Sequence, residues 1–123
     1  MISILTGAQR NKLIDLGGYR RFIDSIPYDP LMRFDPYPVV KLFTPDANAS
    51  WLLVELDPDD PDLAYGLCDP GLGTPELGYV RISELESLRG LLRLRVEQDR
   101  QFEACWPISV YAERARAAGR IVT

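Results

Sequence analysis

The 123-residue chain predicts an α+β fold: a small antiparallel meander of four or five strands with short N-terminal, central and C-terminal helices. Three observations lead there. Short apolar runs alternate with polar residues at the two-residue period of half-buried strands. Loops rich in Gly, Pro and Asp separate consecutive runs, as hairpin connections require. Helical spacing is confined to the two ends and one short central stretch. The size suits a single domain over 1–123, and a hydrophobic share of 46% with 26% charged residues is an ordinary globular balance.

Thr6-Gly-Ala-Gln9 has the form of a capping box, so a helix follows it. That helix carries Leu13, Ile14 and Leu16 and is expected to stop at Gly17-Gly18. Residues 27–38 hold prolines 27, 30, 36 and 38 among Tyr28, Phe34 and Tyr37, a stiff connection expected to lean its aromatics onto the core. Strands are predicted over Val39–Thr44, Trp51–Asp57, Leu63–Cys68 and Leu77–Ile82. In the second, Leu52, Val54 and Leu56 share one face while Glu55 and Asp57 take the other; Val80 and Ile82 also face the core. Ser83-Glu-Leu-Glu86 is a second capping box, opening a helix that ends at Gly90. Val96–Phe102 returns as a last strand, and a helix over 107–120 carries the stripe Ile108, Tyr111, Ala115 and Ala118 up to Gly119. Trp51, Trp106, Tyr65 and Tyr79 are expected to supply core area.

Met1-Ile-Ser-Ile-Leu5 has no basic start and no long apolar stretch, and no apolar run reaches the roughly 20 residues that span a bilayer. A cytoplasmic protein is expected. Cys68 and Cys105 lie far apart without C-x-x-C spacing, which predicts reduced, at least partly buried thiols.

The chain contains no histidine, which removes Ser-His and Cys-His nucleophile pairs and imidazole metal ligands. Gly71-Leu-Gly73 lacks the third glycine and the following helix of a dinucleotide fingerprint. Asp57-Pro-Asp-Asp-Pro-Asp62 has Pro at its fifth position and Asp at its sixth, against the calcium-loop pattern, and reads as a solvated acidic turn. No cofactor and no metal is expected.

Charge is distributed unevenly. The net charge is −4, yet Glu55, Asp57, Asp59, Asp60, Asp62, Asp69 and Glu76 are seven acids without a single Lys or Arg between the first and the last. Five arginines follow at 81, 89, 93, 95 and 100. Those seven acids are the candidate binding residues. A contiguous acidic segment suits electrostatically steered protein recognition, and in a sharper form it stands in for nucleic-acid phosphates. The expected partner is therefore a protein, in that form a basic nucleic-acid-binding one, with neither nucleic acid nor a membrane contacted directly.

A second arrangement stays open. Glu55 with Asp57, and Glu97 with Asp99, each lie two apart on a strand, so four carboxylates could share one sheet face as a metal-dependent catalytic site. Lys41 and Arg81 are placed to neutralise them, which instead gives a solvated, ion-paired surface.

The run Val40-Lys-Leu-Phe-Thr-Pro45, then Ser50-Trp51, Glu55-x-Asp57, Tyr65-Gly66, Glu76-Leu-Gly-Tyr79, Ser83-Glu-Leu and Glu97-x-Asp99-x-x-Phe102, resembles a known family. This is a small bacterial domain of unknown function found on plasmids, phages and integrative elements. The likeness runs from about Leu5 to Phe102 and departs at Gln98, where members tend to carry Arg. The resemblance implies a genomic setting and no reaction. Together these readings predict a non-enzymatic accessory protein of a mobile element, in the sharper form an inhibitor of a host defence nuclease of anti-CRISPR or anti-restriction type. A metal-dependent enzyme and a structural plasmid-maintenance protein are the alternatives.

Overall fold

A computed structural model describes residues 3–123, so Met1 and Ile2 of the N-terminal segment Met1–Leu5 lie outside the described residues. The predicted capping box forms: Thr6 Oγ1 accepts from the Gln9 amide at 3.1 Å, and Gln9 Oε1 accepts from the Thr6 amide at 3.0 Å. It opens helix α1, Gly7–Ser25, which runs straight through Gly17-Gly18 instead of stopping there. The reason is packing. A Cβ on Gly17 would lie 1.9 Å from the carbonyl oxygen of Leu56, so this glycine admits a strand backbone against the helix and does not end it.

Four strands then form the expected meander: β1 (Val40–Phe43), β2 (Ser50–Leu56), β3 (Leu63–Asp69) and β4 (Glu76–Arg81). A two-residue β5, Glu97–Gln98, adds to the outer side of β1, giving the antiparallel order β4-β3-β2-β1-β5. The longer strand predicted over Val96–Phe102 does not form. After the Asp99 amide reaches the Lys41 carbonyl at 2.9 Å, the Asp99 carboxylate accepts from the Gln101 amide and turns the chain away.

Helix α2, Ile82–Ser87, begins one residue before the predicted cap and ends before Gly90. Ser83 does not cap it. Asp62 reaches across from the β2–β3 turn and accepts from both the Ser83 amide (2.9 Å) and its hydroxyl (2.7 Å). Helix α3, Ile108–Ala118, ends at Gly119 as predicted.

Helices cover both faces of the sheet, so there are two cores. Leu13, Leu42, Leu53, Leu56, Ile82 and Leu85 fill one, with Val80 packed beside them. Leu52, Val54 and Leu67 fill the other against Ile108, Tyr111 and Ala115. Strand β2 serves both, being buried from Trp51 to Leu56. The predicted shared face of Leu52, Val54 and Leu56 is broken because the β2–β3 register shifts between Leu53 and Glu55, a bulge that turns Leu56 to the opposite core.

Several aromatics stand outside the expected core. Tyr28, Tyr37 and Tyr79 are exposed, whereas Trp51 is buried and Trp106 packs on Tyr111 at 5.2 Å. Both cysteines are free thiols, but Cys105 is exposed and only Cys68 is partly buried. Burial pushes the Cys68 thiol up to about 11.

Candidate functional site

The turn joining β2 to β3 gathers four of the predicted acids at one end of the sheet. Two prolines stiffen it, and its backbone closes on itself through Asp60 N–H to Asp57 O (3.2 Å) and Leu63 N–H to Asp60 O (2.8 Å). The Asp57 carboxylate accepts from the Asp59 amide at 2.8 Å. From α1, the Arg21 guanidinium bridges Asp57 at 3.0 Å and Asp59 at 2.8 Å. From β4, Arg81 lies 3.0 Å from Asp60 and 3.6 Å from Asp62. Four carboxylates against two guanidiniums leave a local excess of two negative charges. Asp59 projects farthest, with its side chain 81% exposed.

These contacts set the titration of the turn. The Asp59 amide, followed by the Arg21 charge, holds the Asp57 carboxyl below its usual range. The Ser83 hydroxyl does the same for Asp62, helped by the Ser83 amide and Arg81. Asp60 in turn raises the already high value of Arg81. Asp57 and Asp62 therefore stay ionised across the physiological range.

Behind the turn, Glu55 is withdrawn from solvent and meets Arg20 Nε at 2.5 Å. Burial raises its carboxyl above the ordinary value, and the Arg20 hydrogen bond and charge oppose that rise without cancelling it. The Arg20 guanidinium also lies over the rings of Phe34 (4.8 Å) and Tyr65 (5.4 Å). Tyr65 pairs with Tyr79 at 4.9 Å between centroids, and Tyr79 is 66% exposed. A recess of about 190 Å³ joins Glu55, Asp57, Asp24, Tyr65 and Tyr79 into one surface.

The seven acids do not share that surface. Asp57, Asp59, Asp60 and Asp62 stand together on the β2–β3 turn, of which Asp57 alone lines the recess, where Glu55 is neutralised by Arg20. Asp69 is buried, accepting from the Gly71 amide (2.9 Å) and the Ile121 amide (3.0 Å), so it fastens a loop and the C-terminal segment. Glu76 opens β4 opposite Cys68, at the far end of the sheet. Hairpin topology explains the split, since each reversal of direction returns the chain to the opposite end.

The four-carboxylate catalytic arrangement is not assembled either. Glu55 and Asp57 stand at the C-terminal end of β2, whereas Glu97 pairs with Phe43, two strands away and level with Ser50 at its other end. Among the described residues no three Cys, Asp or Glu side chains come together as a metal site. Lys41 approaches Asp99 to 3.9 Å and donates to Thr123 Oγ1 at 2.7 Å. Lys41 and Asp99 line an open cleft of about 1010 Å³ shared with Asp69, Arg100 and Arg120.

Arg20 and Arg21 are the site residues that sequence reasoning missed, and Tyr79, expected in the core, stands exposed at the site. The adjacent arginines carried a signal, but the expected helix stop at Gly17-Gly18 placed them in a connection. None of the helices among the described residues is long and apolar enough to cross a membrane.

Residues 5–122 match the family model described as protein of unknown function, DUF2958, and the chain belongs to that family. Neither the curated proteins nor the solved structures hold a match to it.

Proposed function

We propose, for this member of a family of unknown function, that it is a non-enzymatic module that works by binding another protein through the acidic end of its sheet. One observation carries the reading: four carboxylates are held on a pre-formed turn, and one of them, Asp57, shares a recess with an exposed tyrosine, Tyr79. Tyrosine supplies contact area at low entropic cost, and a surrounding ring of charge steers a partner of opposite sign. Because the turn is already ordered by its own hydrogen bonds, little is lost in fixing it on binding.

The partner this chemistry fits is a basic protein surface. In its sharper form that surface is the nucleic-acid groove of a host defence nuclease, with Asp57, Asp59, Asp60 and Asp62 in place of phosphates. Arg21 and Arg81 temper that form, because they offset half of the charge. The setting on a mobile genetic element comes from the sequence resemblance alone.

The test places a photo-crosslinking residue at Tyr79 in the full chain, in host cells. A discrete adduct with a basic protein is expected, lost in high salt and in the double variant Asp59→Asn/Asp60→Asn, and competed by the partner's own DNA or RNA if mimicry is the mechanism. Asp15→Asn/Glu113→Gln, with the same charge change on exposed helical positions, should leave it intact. Equal loss from both double variants, or no discrete adduct, would reject the acidic end as a binding surface.

A further inference from the structure

The opposite end of the sheet carries a feature of opposite character. Between Glu86 and Glu97 there is no carboxylate, and the run Leu88-Arg-Gly-Leu-Leu-Arg-Leu-Arg95 interleaves four leucines with three arginines. It folds as a tight hairpin: Arg89 pairs with Arg95, the Gly90 amide donates to Leu94 O at 3.2 Å, and the Arg93 amide donates to Gly90 O at 2.9 Å. Arg93 takes the left-handed conformation, φ 64°, that such a reversal needs.

Asp46, in the β1–β2 turn, fixes this hairpin from inside. Its Oδ2 accepts from the Leu92 amide (2.6 Å) and the Leu94 amide (3.2 Å). Its Oδ1 is buried against Gly90 and has no hydrogen-bond partner. A carboxylate is thus spent on holding the loop, and it does not neutralise the arginines outside. None of Arg89, Arg93 and Arg95 forms an ion pair among the described residues.

At the tip, Leu91 is 90% and Leu92 75% exposed, with Leu88 and Leu94 partly exposed below them. Adjacent leucines held outward on an ordered turn are not the incidental apolar exposure of an ordinary surface. The tip is convex, so its occupant has to yield around it while meeting the cations beside it with negative charge. A bilayer interface containing anionic lipid does both, offering acyl chains a few ångströms below a layer of phosphates.

We propose that the 88–95 hairpin is a docking tip for an anionic lipid surface, with Leu91 and Leu92 entering the interface and Arg93 and Arg95 meeting the headgroups. The sequence argued against a membrane partner because no segment spans one, but a surface contact needs no span. This proposal concerns the end away from the acidic turn and stands or falls independently of it.

The experiment is co-sedimentation of the full chain with vesicles of phosphatidylcholine alone and with added phosphatidylglycerol, at low and high salt. The net charge of −4 repels an anionic vesicle as a whole, so retention requires a local basic site. Partition onto the phosphatidylglycerol vesicles is expected, weakened by salt and absent from phosphatidylcholine. Leu91→Ser/Leu92→Ser should lower it at least about tenfold with an unchanged melting temperature, since two exposed leucines contribute to transfer and not to the core. Arg93→Gln/Arg95→Gln should remove the dependence on anionic lipid, and Asp59→Asn/Asp60→Asn should not weaken binding. Failure of the wild-type chain to partition at low salt overturns the proposal, as does partition indifferent to the leucine pair. Loss of a protein partner on changing those leucines, with no vesicle binding, would assign the tip to a protein contact and equally overturn it.

Discussion

Replacing Arg20 with leucine isolates the most consequential ion pair in the molecule. The substitution leaves the Glu55 carboxylate, whose side chain is 8% exposed, without its partner at 2.5 Å. Breaking a buried pair on one side costs about 3–5 kcal/mol; Arg20 is itself 31% exposed, so solvent relieves part of this and about 2–3 kcal/mol is expected. For a domain of this size that lowers the melting temperature by roughly 10 °C.

The cost has a pH signature whose sign follows from Glu55. Its folded-state carboxyl is raised above the ordinary 4.5 by burial, and losing Arg20 raises it further. A raised acid favours the protonated form in the folded state, so stability is full below the unfolded value and declines as pH rises through the folded one. Urea unfolding of Arg20→Leu against wild type should therefore show a small deficit at about pH 5 and a larger one at about pH 8. Asp57 and Asp62 do not confuse the comparison. Their values are lowered from the ordinary 3.8, so their contribution is lost only as pH falls through their lower folded values. Adding Glu55→Gln to Arg20→Leu should restore most of the loss at the higher pH. A deficit that is equal at both pH values, or that survives Glu55→Gln, would mean that the guanidinium acts through its packing on Phe34 and Tyr65 and not through the charge.

Two further predictions concern neighbours in sequence or in chemistry. Gly17→Ala should cost about 2–4 kcal/mol because its Cβ meets the Leu56 carbonyl, whereas Gly18→Ala, with nothing within 4 Å, should stabilise by about 0.5–1 kcal/mol, both read from denaturant midpoints. Iodoacetamide at mildly alkaline pH should alkylate Cys105 well before Cys68, whose buried thiol is pushed up to about 11, and mass spectrometry showing equal rates would contradict the packing around β3.

The four-strand meander was legible because its signals are local: alternation within each run and turn residues between them. What failed depended on distant chain. Gly17 reads as a helix stop until Leu56, 39 positions away, is seen pressed against it. Ser83 reads as its own cap until Asp62 supplies the carboxylate from the neighbouring turn. Leu56 changes side because a bulge interrupts the two-residue period, which an apolar run from Trp51 to Val54 gives no means of placing. The candidate site was half legible for the same reason. Its acids are consecutive in the chain, but the arginines that clamp them come from α1 and β4, and the hairpin reversals carry Asp69 and Glu76 away from the rest.

The double burial of β2 bears on how the molecule comes apart. Its residues are the common wall of both hydrophobic clusters, with Leu53 and Leu56 facing one and Leu52 and Val54 the other. Loss of β2 from the sheet would open both clusters together. The two halves should therefore unfold in one cooperative step, read as coincident transitions by far-UV and near-UV signals.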